Sequence, residues 1–143
     1  MPSMWYAFVM EISQEQKTTI ATIAKQFRLR LLLLFGSQAT GLTHAKSDVD
    51  IAVLAERPLD ELDIRDALNE ALMRVFRRSD VELVDLRRAP PLLQRDATAE
   101  GRLLFEEKPG VYDRFQLFAM KHFMETKPLL DLRRARLREF LAQ

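Results

Sequence analysis

The sequence predicts an α/β (α+β) protein: a small mixed β-sheet with helices packed on it, followed by a C-terminal helical extension. Three observations carry that expectation. The chain has 143 residues, one domain's worth, of which 48% are hydrophobic and 30% charged, the ordinary mix of a globular protein with a core. Short apolar runs that stop at glycine or at charged and proline residues alternate with segments of helical period. The strands are few beside the helices, which suggests one small sheet covered by them.

Taken in order, residues 1–12 are apolar (Trp5, Tyr6, Phe8, Val9) without an assignable period. Ser13, with Gln16 three residues later, is a capping-box signature; it opens a helix whose apolar stripe is Ile20, Ile23, Ala24 and Phe27. Leu29–Phe35 is a nearly continuous apolar run stopped by Gly36, and its length predicts a buried strand. Gly36, Ser37, Gly41 and Ser47 then mark a turn, or a short helix with a loop. Residues 48–54 begin as alternating acidic and apolar positions and read as a second strand.

Asp60 is the expected N-cap of a helix to about residue 78, with Leu68, Ala71, Leu72, Val75 and Phe76 on one face. Residues 81–86 form a third strand before Pro90-Pro91. A helix over Pro91–Glu100 stops at Gly101, and Arg102–Glu106 is a fourth short strand. Pro109-Gly110 breaks the chain. Beyond it, residues 112–126 are helical in pattern and Pro128 predicts the start of another helix to 141. The expected division is a minimal domain with its N-terminal helix over 1–108 and a helical extension over 109–143.

Composition excludes several chemistries. There is no cysteine, so disulfides, thiolate metal sites and a cysteine nucleophile are absent. Two histidines, His44 and His122, cannot build a multi-histidine metal site; His44 reads as a solvated loop residue and His122 as packing. Lys plus Arg number 22 against 21 Asp plus Glu, a balance without the basic excess of a nucleic-acid binder, so direct nucleic-acid binding is not expected. Apolar runs such as 31–35 are far short of the ~20 residues of a membrane span. Residues 1–10 carry no positive charge and do not read as a secretory signal, so a cytoplasmic protein is expected. Carboxylates remain as the chemical tools.

The informative segment is Gly36-Ser37, then ten residues, then Asp48-Val49-Asp50. On a strand Asp48 and Asp50 share a face, their Cβ atoms roughly 6.5–7 Å apart. That spacing suits two carboxylates bridging a pair of divalent cations ~3.5–4 Å apart. Glycine at the preceding strand end lets a backbone approach a phosphate, and serine adds a hydroxyl and can open a helix whose free N–H groups favour an anion. A nucleoside triphosphate with magnesium satisfies both halves. A third carboxylate is expected from the third strand, where Glu82 and Asp85 face opposite sides. Glu82, sharing parity with Val84 and Leu86, is favoured.

These residues resemble the signature of the minimal nucleotidyltransferases of the DNA-polymerase-β superfamily. The resemblance is carried by Leu32-Leu33-Leu34-Phe35-Gly36-Ser37, then Ser47-Asp48-Val49-Asp50-Ile51-Ala52-Val53. Val81-Glu82-Leu83-Val84-Asp85-Leu86 is similar to that family's third acidic strand, and Gly101-Arg102-Leu103-Leu104-Phe105 to its closing strand. The subgroup it resembles is the antitoxin-type members encoded beside a HEPN-domain RNase toxin. The resemblance implies a polymerase-β-like fold, with Gly36 and Ser37 holding the triphosphate. It also implies that Asp48 and Asp50 bind two Mg2+ ions, with Glu82 in the place of a third acid that is more often aspartate. The implied reaction is transfer of AMP from ATP to a tyrosine hydroxyl of the cognate HEPN toxin, which loses its RNase activity, within a hetero-oligomer.

The segment after Gly110 is more apolar than a surface helix needs, and Phe115, Phe118, Met120, Phe123 and Met124 are candidates for docking that partner. Arg133, Arg134, Arg136 and Arg138 cluster behind them, as solvated charges or as a contact. Two other classes of function stay open: an antitoxin that acts by steric binding with a weakened acidic site, and a nucleotidyltransferase acting on a small molecule such as an aminoglycoside, or on RNA ends.

Overall fold

The computed structural model describes residues 11–36, 49–59 and 61–143. Among them the chain runs α1 (Gln14–Gln26), β1 (Leu29–Phe35), β2 (Val49–Ala55), α2 (Leu62–Phe76), β3 (Val81–Asp85), α3 (Pro91–Glu100), β4 (Arg102–Glu106) and α4 (Val111–Leu141). The four strands form one mixed sheet in the order β3-β2-β1-β4. β1 is antiparallel to both β2 and β4, whereas β2 and β3 are parallel and joined by α2. Parallel neighbours need such a crossover, because a tight turn cannot return the chain to the same end of the sheet.

Each face of the sheet has its own apolar layer. Ile20, Ile23 and Ala24 of α1, with Leu68, Leu72 and Phe76 of α2, cover Leu32, Leu34, Val49, Ile51, Val53, Val81 and Leu83. On the other face, Ala97 of α3 and Val111 of α4 pack with Leu31, Leu33, Ala52, Leu54 and Leu86. Covered on both sides, β1 and β2 lose the polar alternation of a half-exposed strand, which is why both read as apolar runs. The register shifts between Leu29 and Leu31, and this irregularity turns Leu29 onto the α1/α2 face although its parity matches Leu31 and Leu33.

Local signals account for most boundaries. The capping box forms as expected: the Gln16 N–H donates to Ser13 Oγ at 3.1 Å, and the Ser13 N–H donates to Gln16 Oε1 at 2.9 Å. α2 differs from expectation. It starts at Leu62 behind Glu61, which makes no side-chain cap bond, and it ends at Phe76 with Arg77 in the left-handed conformation. Asp60, the expected cap, lies outside the described residues. Gly101 follows α3 as expected but for another reason. Its φ is −71°, open to any residue; a Cβ there would strike the carbonyl oxygen of Ala97.

The two helices expected on either side of Pro128 are one helix of 31 residues. Proline removes the N–H that would bond the Met124 carbonyl. Met124 is 65% exposed, so water can satisfy that oxygen and the helix need not stop. At its start, the Tyr112 N–H donates to Glu106 Oε2 at 3.1 Å, a cap supplied by β4.

Candidate active site

The end of the sheet where β1 stops and β2 and β3 start gathers the acidic residues. Strand pairing puts Phe35, Asp50 and Glu82 in one row across the sheet: Phe35 opposite Asp50, and Asp50 beside Glu82. In-register neighbours share a face, so both carboxylates rise from the α3/α4 side, on strands about 4.8 Å apart. Their neighbours Val49, Ile51, Val81 and Leu83 point the other way into the α1/α2 core. Asp50 is half-buried and Glu82 exposed. The sheet thus anchors two acids rigidly while leaving them open to solvent.

Gly36 closes β1 with φ +73°, in the left-handed region that favours glycine. A Cβ built there would fall on the Asp50 carboxylate, with Asp50 Cγ only 3.3 Å away. Glycine is therefore required twice, by the backbone angle and by the acid packed against it. Ser37, His44 and Asp48 lie outside the described residues. Among the described residues no group of three metal-binding side chains forms.

Asp85, the disfavoured third acid, sits elsewhere. It pairs with Val53, faces away from Asp50 and is 6% exposed. Its Oδ1 accepts the Arg87 N–H at 3.0 Å, closing the turn after β3.

Four arginines flank β3, Arg77 and Arg78 before it and Arg87 and Arg88 after it, and the structure gives them different surroundings. Arg87 donates to the Ala55 carbonyl at 2.7 Å, at the opposite end of β2, and Arg88 follows it there. Arg77 is exposed in a groove of about 610 Å³ between α1 and α2, on the far side of the sheet from Asp50. Arg78 is instead engaged just before β3. Its fork meets Asp80 through Nε to Oδ1 at 2.7 Å and Nη2 to Oδ2 at 2.6 Å. The Asp80 carbonyl in turn accepts the Val49 N–H at 3.0 Å, one residue from Asp50. Hydrogen bonding from Arg78, aided by its charge and opposed by desolvation, holds the Asp80 carboxyl below its ordinary value. Sequence reasoning missed this pair. The signal was an Arg-x-Asp immediately before the third strand.

The five candidate docking residues divide. Phe115 packs against the core face and Phe123 lies under the Arg95 guanidinium, 4.3 Å from carbon to ring centroid. Phe118, Met120 and Met124 are at least half exposed. His122 is not simple packing: its Nδ1 lies 3.2 Å from Oε1 of the buried Gln94.

The family pattern described as "Polymerase beta, Nucleotidyltransferase" matches residues 17–110. Protein adenylyltransferase MntA of Shewanella oneidensis is 39% identical over 97 residues, covering 66% of this chain and 63% of that protein. Protein adenylyltransferase MntA of Aphanizomenon flos-aquae is 28% identical over 138 residues, 91% of this chain and 92% of that protein. This chain therefore spans under two thirds of the first relative and nearly all of the second. A crystal structure of a toxin–antitoxin with AMP-PNP superposes with a TM-score of 0.70 at 28% identity, over 87% of this chain and 98% of that one. A tri-AMPylated Shewanella oneidensis HEPN toxin in complex with MNT antitoxin gives 0.64 at 28% identity, over 90% and 98%. No helix among the described residues is long and apolar enough to cross a membrane. With a mixed four-stranded sheet, an acidic row at one end and a match over most of its length, this chain belongs to the polymerase-β nucleotidyltransferase family.

Proposed function

We propose that this protein is an antitoxin that transfers AMP from ATP to a tyrosine hydroxyl of a cognate HEPN RNase toxin and so neutralises it. One observation carries the reading: Asp50 and Glu82 are register partners on neighbouring strands, with Gly36 leaving room for the Asp50 carboxylate. The relatives named adenylyltransferases and the toxin–antitoxin complexes support the choice of acceptor. In this reading Gly36 and Ser37 hold the triphosphate, and Asp48, Asp50 and Glu82 hold the metal.

The donor set fits magnesium, a hard cation that takes carboxylate oxygens and keeps several waters. Bound there with ATP, two Mg2+ ions would supply neutralisation of the phosphate charge. The protein's own contribution is placement. The acidic row fixes the direction from which the acceptor hydroxyl reaches the α-phosphorus. A bond forms from the tyrosine oxygen to that phosphorus as the bond to the β-phosphate oxygen breaks, and pyrophosphate leaves. Glu82, the more exposed acid, takes the hydroxyl proton. Use of ATP fits a cytoplasmic location.

The test incubates the chain with α-labelled ATP, Mg2+ and the toxin from the neighbouring gene, beside Asp48→Ala/Asp50→Ala. Label on the toxin that vanishes in the variant supports the proposal. Neutralisation without label refutes it and favours steric binding, a second reading motivated by the glutamate at the third acidic position. Label on an aminoglycoside or on RNA ends instead also refutes it.

A further inference from the structure

The long helix outruns the element that covers it. At about 1.5 Å per residue, α3 with 10 residues is about 15 Å long and α4 with 31 is about 46 Å. The face of α4 turned to α3 follows a helical spacing through Ala119, Phe123, Thr126, Leu130, Leu137 and Leu141. Its first part is occupied. Ala119 is fully buried, Phe123 lies under Arg95, and His122 meets Gln94. Then α3 ends. Residues 131–143 are exposed throughout, with Leu137 at 56% and Leu141 at 71%. A helical arm of this length is marginal in water on its own, and its apolar stripe is a continuation of a core seam.

Charge narrows the occupant. Residues 127–143 hold five basic side chains against two acidic ones, Asp131 and Glu139. One of the acidic pair is already engaged, since Lys127 Nζ approaches Asp131 Oδ2 at 3.4 Å. Arg133 and Arg134 sit within the seam's turn between Leu130 and Leu137, and Arg138 follows directly after Leu137. Like charge along the arm disfavours a second copy laid against it in register. A partner with apolar residues flanked by carboxylates matches both features.

We propose that the partner toxin lays an amphipathic, acidic-flanked helix along residues 130–141, end to end with α3. Its apolar side chains meet Leu130, Leu137 and Leu141, and its carboxylates meet Arg133, Arg134 and Arg138. This inference rests on the proposed antitoxin function and names the surface that function uses. The face that docks is the seam beyond α3, whereas Phe115 and Phe123 already serve the fold.

The experiment measures binding of the full-length chain to the toxin, at low and high salt, for three forms. These are wild type, Leu137→Asp/Leu141→Asp, and Arg133→Gln/Arg134→Gln/Arg138→Gln. Expected are a roughly ten-fold or greater loss of affinity for the leucine variant and a flattened salt dependence for the arginine variant. The thermal unfolding midpoint of each chain alone should match wild type, because these residues are exposed. Leucine and arginine variants that bind as wild type overturn the proposal while leaving the antitoxin reading intact. A wild-type chain that binds no toxin overturns both. A wild-type chain that sediments as a dimer split by Leu137→Asp/Leu141→Asp makes the occupant a second copy, and overturns it too.

Discussion

Gly36→Ala tests whether the close approach of Gly36 to Asp50 matters for chemistry rather than for folding alone. Three glycines supply a graded series. Gly110 has φ +93° but an added Cβ meets only Arg114 Nη1 at 3.6 Å, so alanine there carries a conformational cost of about 1–2 kcal/mol and little else. Gly101 has an ordinary φ, and its alanine drives into the Ala97 carbonyl, a crowding cost of about 1–3 kcal/mol far from Asp50 along the chain. Gly36 combines both: a left-handed φ of +73° and a Cβ that lands on the Asp50 carboxylate. Its expected destabilisation is the sum, roughly 2–5 kcal/mol if the carboxylate holds its place. The carboxylate is the softer object and will swing away, so part of that cost reappears as a misplaced acid. A shift of 1 Å at a reacting centre costs on the order of 10²-fold in rate.

The assay pairs thermal unfolding of the three alanine variants with label transfer from ATP to the toxin, at a temperature where all are folded. Midpoints should fall by roughly 2–4 °C per kcal/mol for a chain near this size. Transfer should collapse for Gly36→Ala and stay within a few-fold of wild type for Gly101→Ala and Gly110→Ala. Losses of transfer that simply track the loss of stability across the series would refute the idea that Gly36 exists to make room for Asp50.

Three further outcomes are expected. Asp50→Asn and Glu82→Gln should each lower transfer by roughly 10²–10⁴-fold while co-purification with the toxin persists, which labelling and pull-down report separately. Asp80, held below its ordinary value of 3.8 by Arg78, contributes stability above that value and loses it as pH falls through the depressed one. Asp80→Asn should therefore lower the urea midpoint at pH 7 and converge with wild type in strong acid; a constant difference at both pH values would sink the pairing argument. Pro128→Ala restores a helical N–H for the Met124 carbonyl, so amide exchange over residues 129–141 should slow, with the global unfolding midpoint nearly unchanged.

Much of the fold was legible because the signals are local. β1 and β4 are apolar segments bounded by Gly36 and Gly101, and the Ser13–Gln16 box needs only its own four residues. Pro128 misled because a proline's effect depends on whether water can reach the orphaned carbonyl, which is a tertiary property. Parity separated Glu82 from Asp85, but which of them stands beside Asp50 depends on the pairing of β2 with β3, a register that no single strand encodes. The Arg78–Asp80 fork was hidden for the same reason. Its meaning comes from the Val49 N–H that it helps to seat, about thirty residues earlier in the chain.

The position of β1 in the sheet has a kinetic consequence. One neighbour, β2, follows within a short stretch of chain, but the other, β4, pairs Leu31 with Glu106. Closing that contact costs loop entropy that local pairing does not repay, so β4 should join late, after the β1–β2–β3 sheet has formed on α1 and α2. Until it does, Leu31, Leu33, Ala52 and Leu54 have neither α3 nor α4 over them. On a ribosome this face waits until residues 97–115 have emerged. The half-made protein is then a sticky sheet with one bare side, and its rescue depends on α3 and the first turns of α4, which bring Ala97 and Val111 onto it.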